Sequence, residues 1–211
     1  MPVSPEPQPS EASQVTFARK PILTGDQVVL RPVNVDDAQG LVELLHDPEG
    51  RKLTGTHGIV RPGVEERARS WYGSRTDQDD QLYLAITERA TREFLGEVVL
   101  ENLDTDNRSC TFRIALVGPR AYGRGFGSEA TALILRHAFE ATGINRVELE
   151  VHDFNPRARR VYDRAGFVYE GTKRQALLWD GQWIDTHIMA VLASDWASRA
   201  TSDAPIVLDQ H

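Results

Sequence analysis

The chain has 211 residues, a formal net charge of −7, 40% hydrophobic and 26% charged residues, and a single cysteine, enough for one domain with a real core and cramped for two. The acidic balance, with no basic stretch interleaved by aromatics, speaks against nucleic acid as a partner. No apolar run approaches the roughly 20 residues that span a bilayer and the N-terminus lacks a secretion-signal pattern, so no membrane partner and a cytoplasmic location are expected.

Residues 1–20 carry prolines at 2, 5, 7 and 9 among Ser, Gln and Glu and read as a disordered tail, residues 21–199 as a single domain, and residues 200–211 as a second flexible tail. Apolar periodicity within the domain predicts a strand at 27–31, a helix at 35–46, a long polar connection, and a helix at 64–76. Strands follow at 82–87, 94–102 and 109–117, with a turn at 104–107 between the last two. A glycine-rich loop then leads to a helix at 128–142, a strand at 146–152, a helix at 156–165, and strands at 168–178 and 183–192. Asp180-Gly181 between those last strands marks a hairpin. The order gives an α/β (α+β) chain with a mixed sheet flanked by helices. Cys110, inside the alternating SCTFRIAL, reads as a buried strand thiol, and the six histidines are scattered without a ligand spacing, so no metal is expected.

Residues 120–130 read RAYGRGFGSEA and place Gly123, Gly125 and Gly127 directly before a helical pattern. With no side chains on that edge, backbone N–H groups can approach a ligand, and the helix behind presents unpaired amides and partial positive charge. Such a loop either cradles a phosphate or simply turns a strand sharply into a helix. Two familiar phosphate loops do not fit, because the glycines lie past mid-chain and no lysine stands among them.

Residues 146–167, RVELEVHDFNPRARRVYDRAGF, join an alternating strand to a short helix that Asn155 caps, Pro156 opens and Gly166 closes. The pair R-x-x-G-x-G at 120–125 and N-x-x-A-x-x-x-Y at 155–162, followed by Gly166-Phe167, resembles the GNAT superfamily of acyl-CoA-dependent N-acyltransferases, over residues 25–196. Leu30-Arg31-Pro32, Gly127-Ser128-Glu129-Ala130, Glu170-Gly171 and Asp180-Gly181 make it similar to the branch holding ribosomal-protein N-terminal acetyltransferases, spermidine acetyltransferases and several antibiotic acetyltransferases.

This resemblance implies a GNAT-type, mostly antiparallel sheet whose fourth and fifth strands splay apart after Leu116. The backbone of Leu116, Val117 and Gly118 would then pair with the pantetheine arm of acetyl-CoA, the co-substrate. Its diphosphate would lie on Gly123, Gly125, Phe126, Gly127 and Ser128, flanked by Arg120 and Arg124. Asn155, Arg157 and Arg160 would contribute from the next helix, where Arg157, Arg160 and Arg164 share one face. Repulsion from a net charge of −7 is screened beyond about 8–10 Å, whereas an arginine about 4 Å from a phosphate contributes about 4 kcal/mol at an effective dielectric of 20.

Acyl transfer to an amine requires a proton taken from nitrogen, a stabilised oxyanion and a proton given to sulfur. The resemblance puts Tyr162 near the sulfur as proton donor, although Ala158, Val161, Tyr162 and Ala165 also form an apolar stripe that suits a core tyrosine. It makes the Val117 amide the oxyanion donor. Related enzymes often carry a glutamate on the strand before the glycine loop, but CTFRIALVG has none. Glu97, with Glu101 on the same strand face, is the candidate base, or else a solvent-facing residue of a half-buried strand. An acidic surface favours a cationic acceptor: a polyamine, an aminoglycoside-like amine, or a peptide or protein N-terminus. Acceptor recognition is expected from residues 35–76 and from Trp179 and Trp183 on the last hairpin, tryptophans that equally suit a homodimer interface. Two alternatives stay open: a longer acyl group such as succinyl, with Arg113 near its end, and a catalytically silent acyl-CoA-binding module.

Overall fold

The computed structural model describes residues 15–57 and 62–202. The outer tails, 1–14 and 203–211, and residues 58–61 of the polar connection lie outside the described residues. The strands are β1 (Leu23–Thr24), β2 (Val28–Pro32), β3 (Leu82–Glu88), β4 (Phe94–Asp104), β5 (Ser109–Leu116), β6 (Arg146–His152), β7 (Val168–Trp179) and β8 (Gln182–Leu192). The helices are α1 (Ala38–His46), α2 (Pro48–Leu53), α3 (Val64–Gly73), α4 (Gly118–Ala121), α5 (Phe126–Ala141), α6 (Pro156–Ala165) and α7 (Ala193–Ser202). One eight-stranded sheet runs β1-β2-β3-β4-β5-β6-β8-β7. Every pairing is antiparallel except β5 with β6.

Side chains alternate across the sheet, and the registers sort them into two faces. Leu30, Leu84, Val98, Phe112, Val147 and Leu149 share the face on which Ile134, Leu135 and Ala138 of α5 and Tyr162 of α6 pack. The opposite face carries Tyr83, Ala85, Glu97 and Val99, covered by Val33 and by Tyr72 of α3. Cys110 is buried on the first face, and burial pushes its thiol up to about 12, as suits a strand residue.

The parallel seam is short. β5 and β6 pair only through Ser109–Thr111 and Arg146–Glu148, so the strands part after Thr111, earlier than the Leu116 expected from the sequence. Each strand follows its outer neighbour to the end, β5 with β4 as far as Leu116 and β6 with β8 as far as His152, and the twist of the two half-sheets draws their inner edges apart.

Four features depart from the sequence reading. Val15 and Phe17, assigned to the tail, are buried in the core, and the Phe17 amide donates to Asp79 O at 2.7 Å; two apolar side chains suffice to fix that segment. α2 occupies the supposed connection because Asp47 accepts from the amides of Glu49 and Gly50 and Pro48 opens the first turn. α4 is a single turn inside the glycine loop, and α5 starts at Phe126, ahead of Ser128. α7 continues past the last strand, where Trp196 packs on Phe139 with ring centroids 5.8 Å apart. At the last hairpin Asp180 and Gly181 both take positive φ, 48° and 77°, the two-residue turn the sequence calls for. No helix among the described residues is long and apolar enough to cross a membrane.

Candidate active site

A cleft of about 1470 Å³ opens where β5 and β6 diverge. It is lined from both faces of the sheet: Tyr162 comes from the α5–α6 side, Glu97 from the α3 side. An intact ladder between β5 and β6 would wall these two side chains off from one another.

On the α5–α6 side the wall is mainly backbone. Gly125 caps α5 at φ +90° and offers no side-chain acceptor, so no cap side chain satisfies the first-turn amides of the helix. A Cβ on Gly123 would meet nothing within 4 Å, and one on Gly127 would lie 3.3 Å from Leu116 Cδ1. These glycines, with Ser128, line the cleft, and so do Arg157, Arg160 and Arg164 from α6. Arg157 lies 4.2 Å over the Tyr122 ring and 3.7 Å from Glu49, whereas Arg160 and Arg164 form no ion pair with any described residue. Helix-terminal amides facing guanidinium groups are a donor set that fits a diphosphate.

Several expected cofactor residues are not brought there. Arg120 bridges Glu43, at 2.7 Å, and Glu93, and thereby ties α4 to α1 and to the residue that precedes β4. Arg124 pairs with Glu88 at 3.1 Å and stacks 4.6 Å over Phe126, whose own ring is buried in the core. Gly118 takes φ +50° to begin α4 and does not line the cleft. Val117 is fully buried and its amide donates to Leu95 O at 2.8 Å, so that donor is consumed by the β4 edge. Backbone groups alternate along a ladder. Leu116 and Ile114, both on the cleft wall, therefore present their amides and carbonyls to the opening.

Tyr162 sits edge-on to Phe112 and Phe167, with centroids 5.9 Å and 5.8 Å away. Its hydroxyl forms no hydrogen bond with a described residue, and burial raises its pKa well above that of a free phenol, so it holds its proton at neutral pH. Asn155 caps α6 by accepting from the Ala158 amide at 3.1 Å, and its Nδ2 donates to Leu53 O at 3.4 Å, tying α2 to the cleft rim.

Residues 27–168 match the family model described as the acetyltransferase (GNAT) domain. The chain belongs to the GNAT acetyltransferase family. It is 25% identical over 181 residues to YjcK, a probable N-acetyltransferase of Bacillus subtilis, covering 82% of this chain and 98% of that protein. Identity is also 25%, over 180 residues, to a ribosomal protein uS5-alanine N-acetyltransferase of Escherichia coli, covering 82% of this chain and 92% of the relative. Among solved structures, spermidine N-acetyltransferase of Vibrio cholerae in complex with CoA and spermine superposes with a TM-score of 0.74 at 21% identity, over 82% of this chain and 99% of that one. That likeness establishes the fold. GNAT acetyltransferases use acetyl-CoA as co-substrate.

The α3 side of this GNAT enzyme's cleft sets polar side chains among apolar ones. Glu97 is buried and accepts from the Tyr72 hydroxyl at 2.8 Å. Burial raises its pKa, an effect the Tyr72 hydrogen bond and the nearby Arg113 partly offset. Glu101, on the same strand face, is engaged by Arg113 Nε at 2.7 Å and the Tyr83 hydroxyl at 3.0 Å. Across the gap, β6 presents Glu148, Glu150 and His152. Lys173 pairs with Glu150, and the Arg146 guanidinium lies 3.0 Å from Glu148. His152 bonds Thr186 Oγ1 at 2.9 Å, and burial holds its pKa below the usual imidazole value. Sequence reasoning missed Tyr72, Glu148 and Glu150. The alternation of RVELEVH marks the β6 pair as leaving the core face, but only the splay turns that face into a cleft wall. At the far end His57 stacks on Trp179 with centroids 5.1 Å apart, closing the α2 segment against the last hairpin, while Trp183 stays exposed. Among the described residues no cluster of three His, Cys, Asp or Glu side chains is placed to hold a metal ion.

Proposed function

We propose that this enzyme transfers an acetyl group from acetyl-CoA to a primary amine by direct attack in a ternary complex. The observation that carries the reading is the breach in the sheet: a phenol on one face and a buried carboxyl on the other share a single cleft. A thioester laid against Ile114 and Leu116 would present its sulfur toward Tyr162 and its carbonyl carbon toward the α3 side. Tyr162 donates its proton to the departing thiolate, and Glu97 accepts one from the attacking amine. Gly123, Gly125, Gly127 and Ser128 hold the diphosphate through amides of the loop and of α5, and Arg157 and Arg160 add charge from α6. The cleft-facing amide of Leu116 replaces that of Val117 as oxyanion donor.

The acceptor we propose is a small cationic amine or a peptide N-terminus, since Glu97, Glu148 and Glu150 line the cleft walls and a carboxylate attracts an ammonium group. A buried carboxyl placed on the acceptor side favours turnover over a silent binding module. The test is release of free CoA thiol from acetyl-CoA across polyamines, aminoglycosides and peptides. Turnover with at least one amine class is expected; cofactor binding with no turnover on any amine would reject the reading.

A further inference from the structure

We propose that Tyr72 is a positioning residue whose hydroxyl pins Glu97 Oε2 and leaves Oε1 as the oxygen offered to the acceptor amine. The inference rests on the reading of Glu97 as the base. Tyr72 is fully buried among Val33, Tyr83, Ala85 and Val99, where a phenylalanine would fill the same space without desolvating a hydroxyl. A phenol there costs free energy unless its hydrogen bond is made, and among the described residues Glu97 is the only partner it has. Glu97 Oε1 makes no hydrogen bond to a described residue, and Glu97 lines the cleft. Tyr72 belongs to the last turn of α3, whose Val64, Ala68 and Trp71 line the same cleft. The helix that an acceptor would touch is thus the helix that orients the base.

The charged and titratable groups around this pair come from four elements. Arg113 of β5 favours the ionised Glu97, Glu101 of β4 opposes it, and Asp37, ahead of α1, and Tyr83 of β3 act on the Tyr72 phenol. A hydrogen bond donated to a carboxylate stabilises its charged form. Removing that bond raises the Glu97 pKa further, and the acidic limb of the rate profile moves to higher pH.

The experiment is Tyr72→Phe in the full chain, with two readouts. Carboxyl carbon NMR of glutamate-labelled protein, with the Glu97 signal assigned through Glu97→Gln, reads the titration directly and needs no turnover; kcat/KM against pH reads its consequence. The expected result is a Glu97 titration displaced upward, with kcat/KM reduced about tenfold on the acidic side and recovered at alkaline pH. The KM for acetyl-CoA should stay within about twofold, because Tyr72 touches only the acceptor side. Should Tyr72→Phe fail to fold, 3-fluorotyrosine at position 72 keeps the shape and donates more strongly, and the titration should then move downward. A Glu97 signal that titrates alike with and without the hydroxyl would overturn the proposal. A displaced titration beside an unchanged rate profile would support the coupling and reject Glu97 as the base, so the two failures are distinct.

Discussion

The two sides of the cleft are built from different materials. On the α5–α6 side the wall is mainly backbone: glycines at positive φ, amides at a helix end, and a strand edge that has lost its neighbour. On the α3 side, side chains stand out: a buried glutamate, the tyrosine bonded to it, and carboxylates across the gap. A cofactor shared by a whole family can be gripped by groups every residue possesses, whereas an acceptor must be told apart from other amines by particular side chains. The first kind of site leaves a glycine pattern in the sequence; the second leaves ordinary residues whose meaning depends on what folds opposite them.

The largest effects should come from the two groups proposed to transfer protons, one on each side. Tyr162→Phe removes the proton donor without opening a cavity, so kcat should fall about a hundredfold with the KM for acetyl-CoA nearly unchanged. A large rise in that KM at normal kcat would move Tyr162 from catalysis to packing. Glu97→Gln should cost a similar factor and also flatten the dependence of stability on pH. The folded-state pKa of Glu97 is raised by burial. Between the ordinary carboxylate value and that raised value, the native state therefore holds a proton the unfolded chain has released, and stability falls as pH rises through the window. Urea unfolding at several pH values should show this slope in the parent protein and a shallower one in Glu97→Gln; equal slopes would mean that Glu97 does not titrate abnormally.

Smaller effects separate backbone from side chain on the cofactor side. Gly125→Ala must hold a Cβ at φ +90° and 3.2 Å from Gln27 Nε2, a strain of about 1–2 kcal/mol. Isothermal titration with CoA should show roughly tenfold weaker binding if the loop amides carry the diphosphate. Arg160→Ala should weaken the same binding by only a few-fold, and less at high salt, as befits an exposed charge. The Arg120→Ala variant sharpens the contrast. Its ion pairs with Glu43 and Glu93 are on the surface, so thermal unfolding should shift by less than about 1 kcal/mol equivalent, with CoA affinity unaltered.

The features legible in the chain alone are local. Asn155, Pro156 and Gly166 bound α6 where the capping rules place it, Asp180-Gly181 turns the last hairpin, and the spaced glycines announce a helix start. Each of these signals is read within one turn of chain, and so each survives without knowledge of the fold. Tertiary structure alone decided the rest. It paired Arg120 and Arg124 with glutamates instead of leaving them for a ligand, spent the Val117 amide on Leu95, and buried Val15 and Phe17. It also set Tyr72 against Glu97 and opened the sheet between β5 and β6. Whether a charge, an amide or a hydroxyl remains available to a substrate depends on partners distant in sequence, and no local pattern records who those partners are.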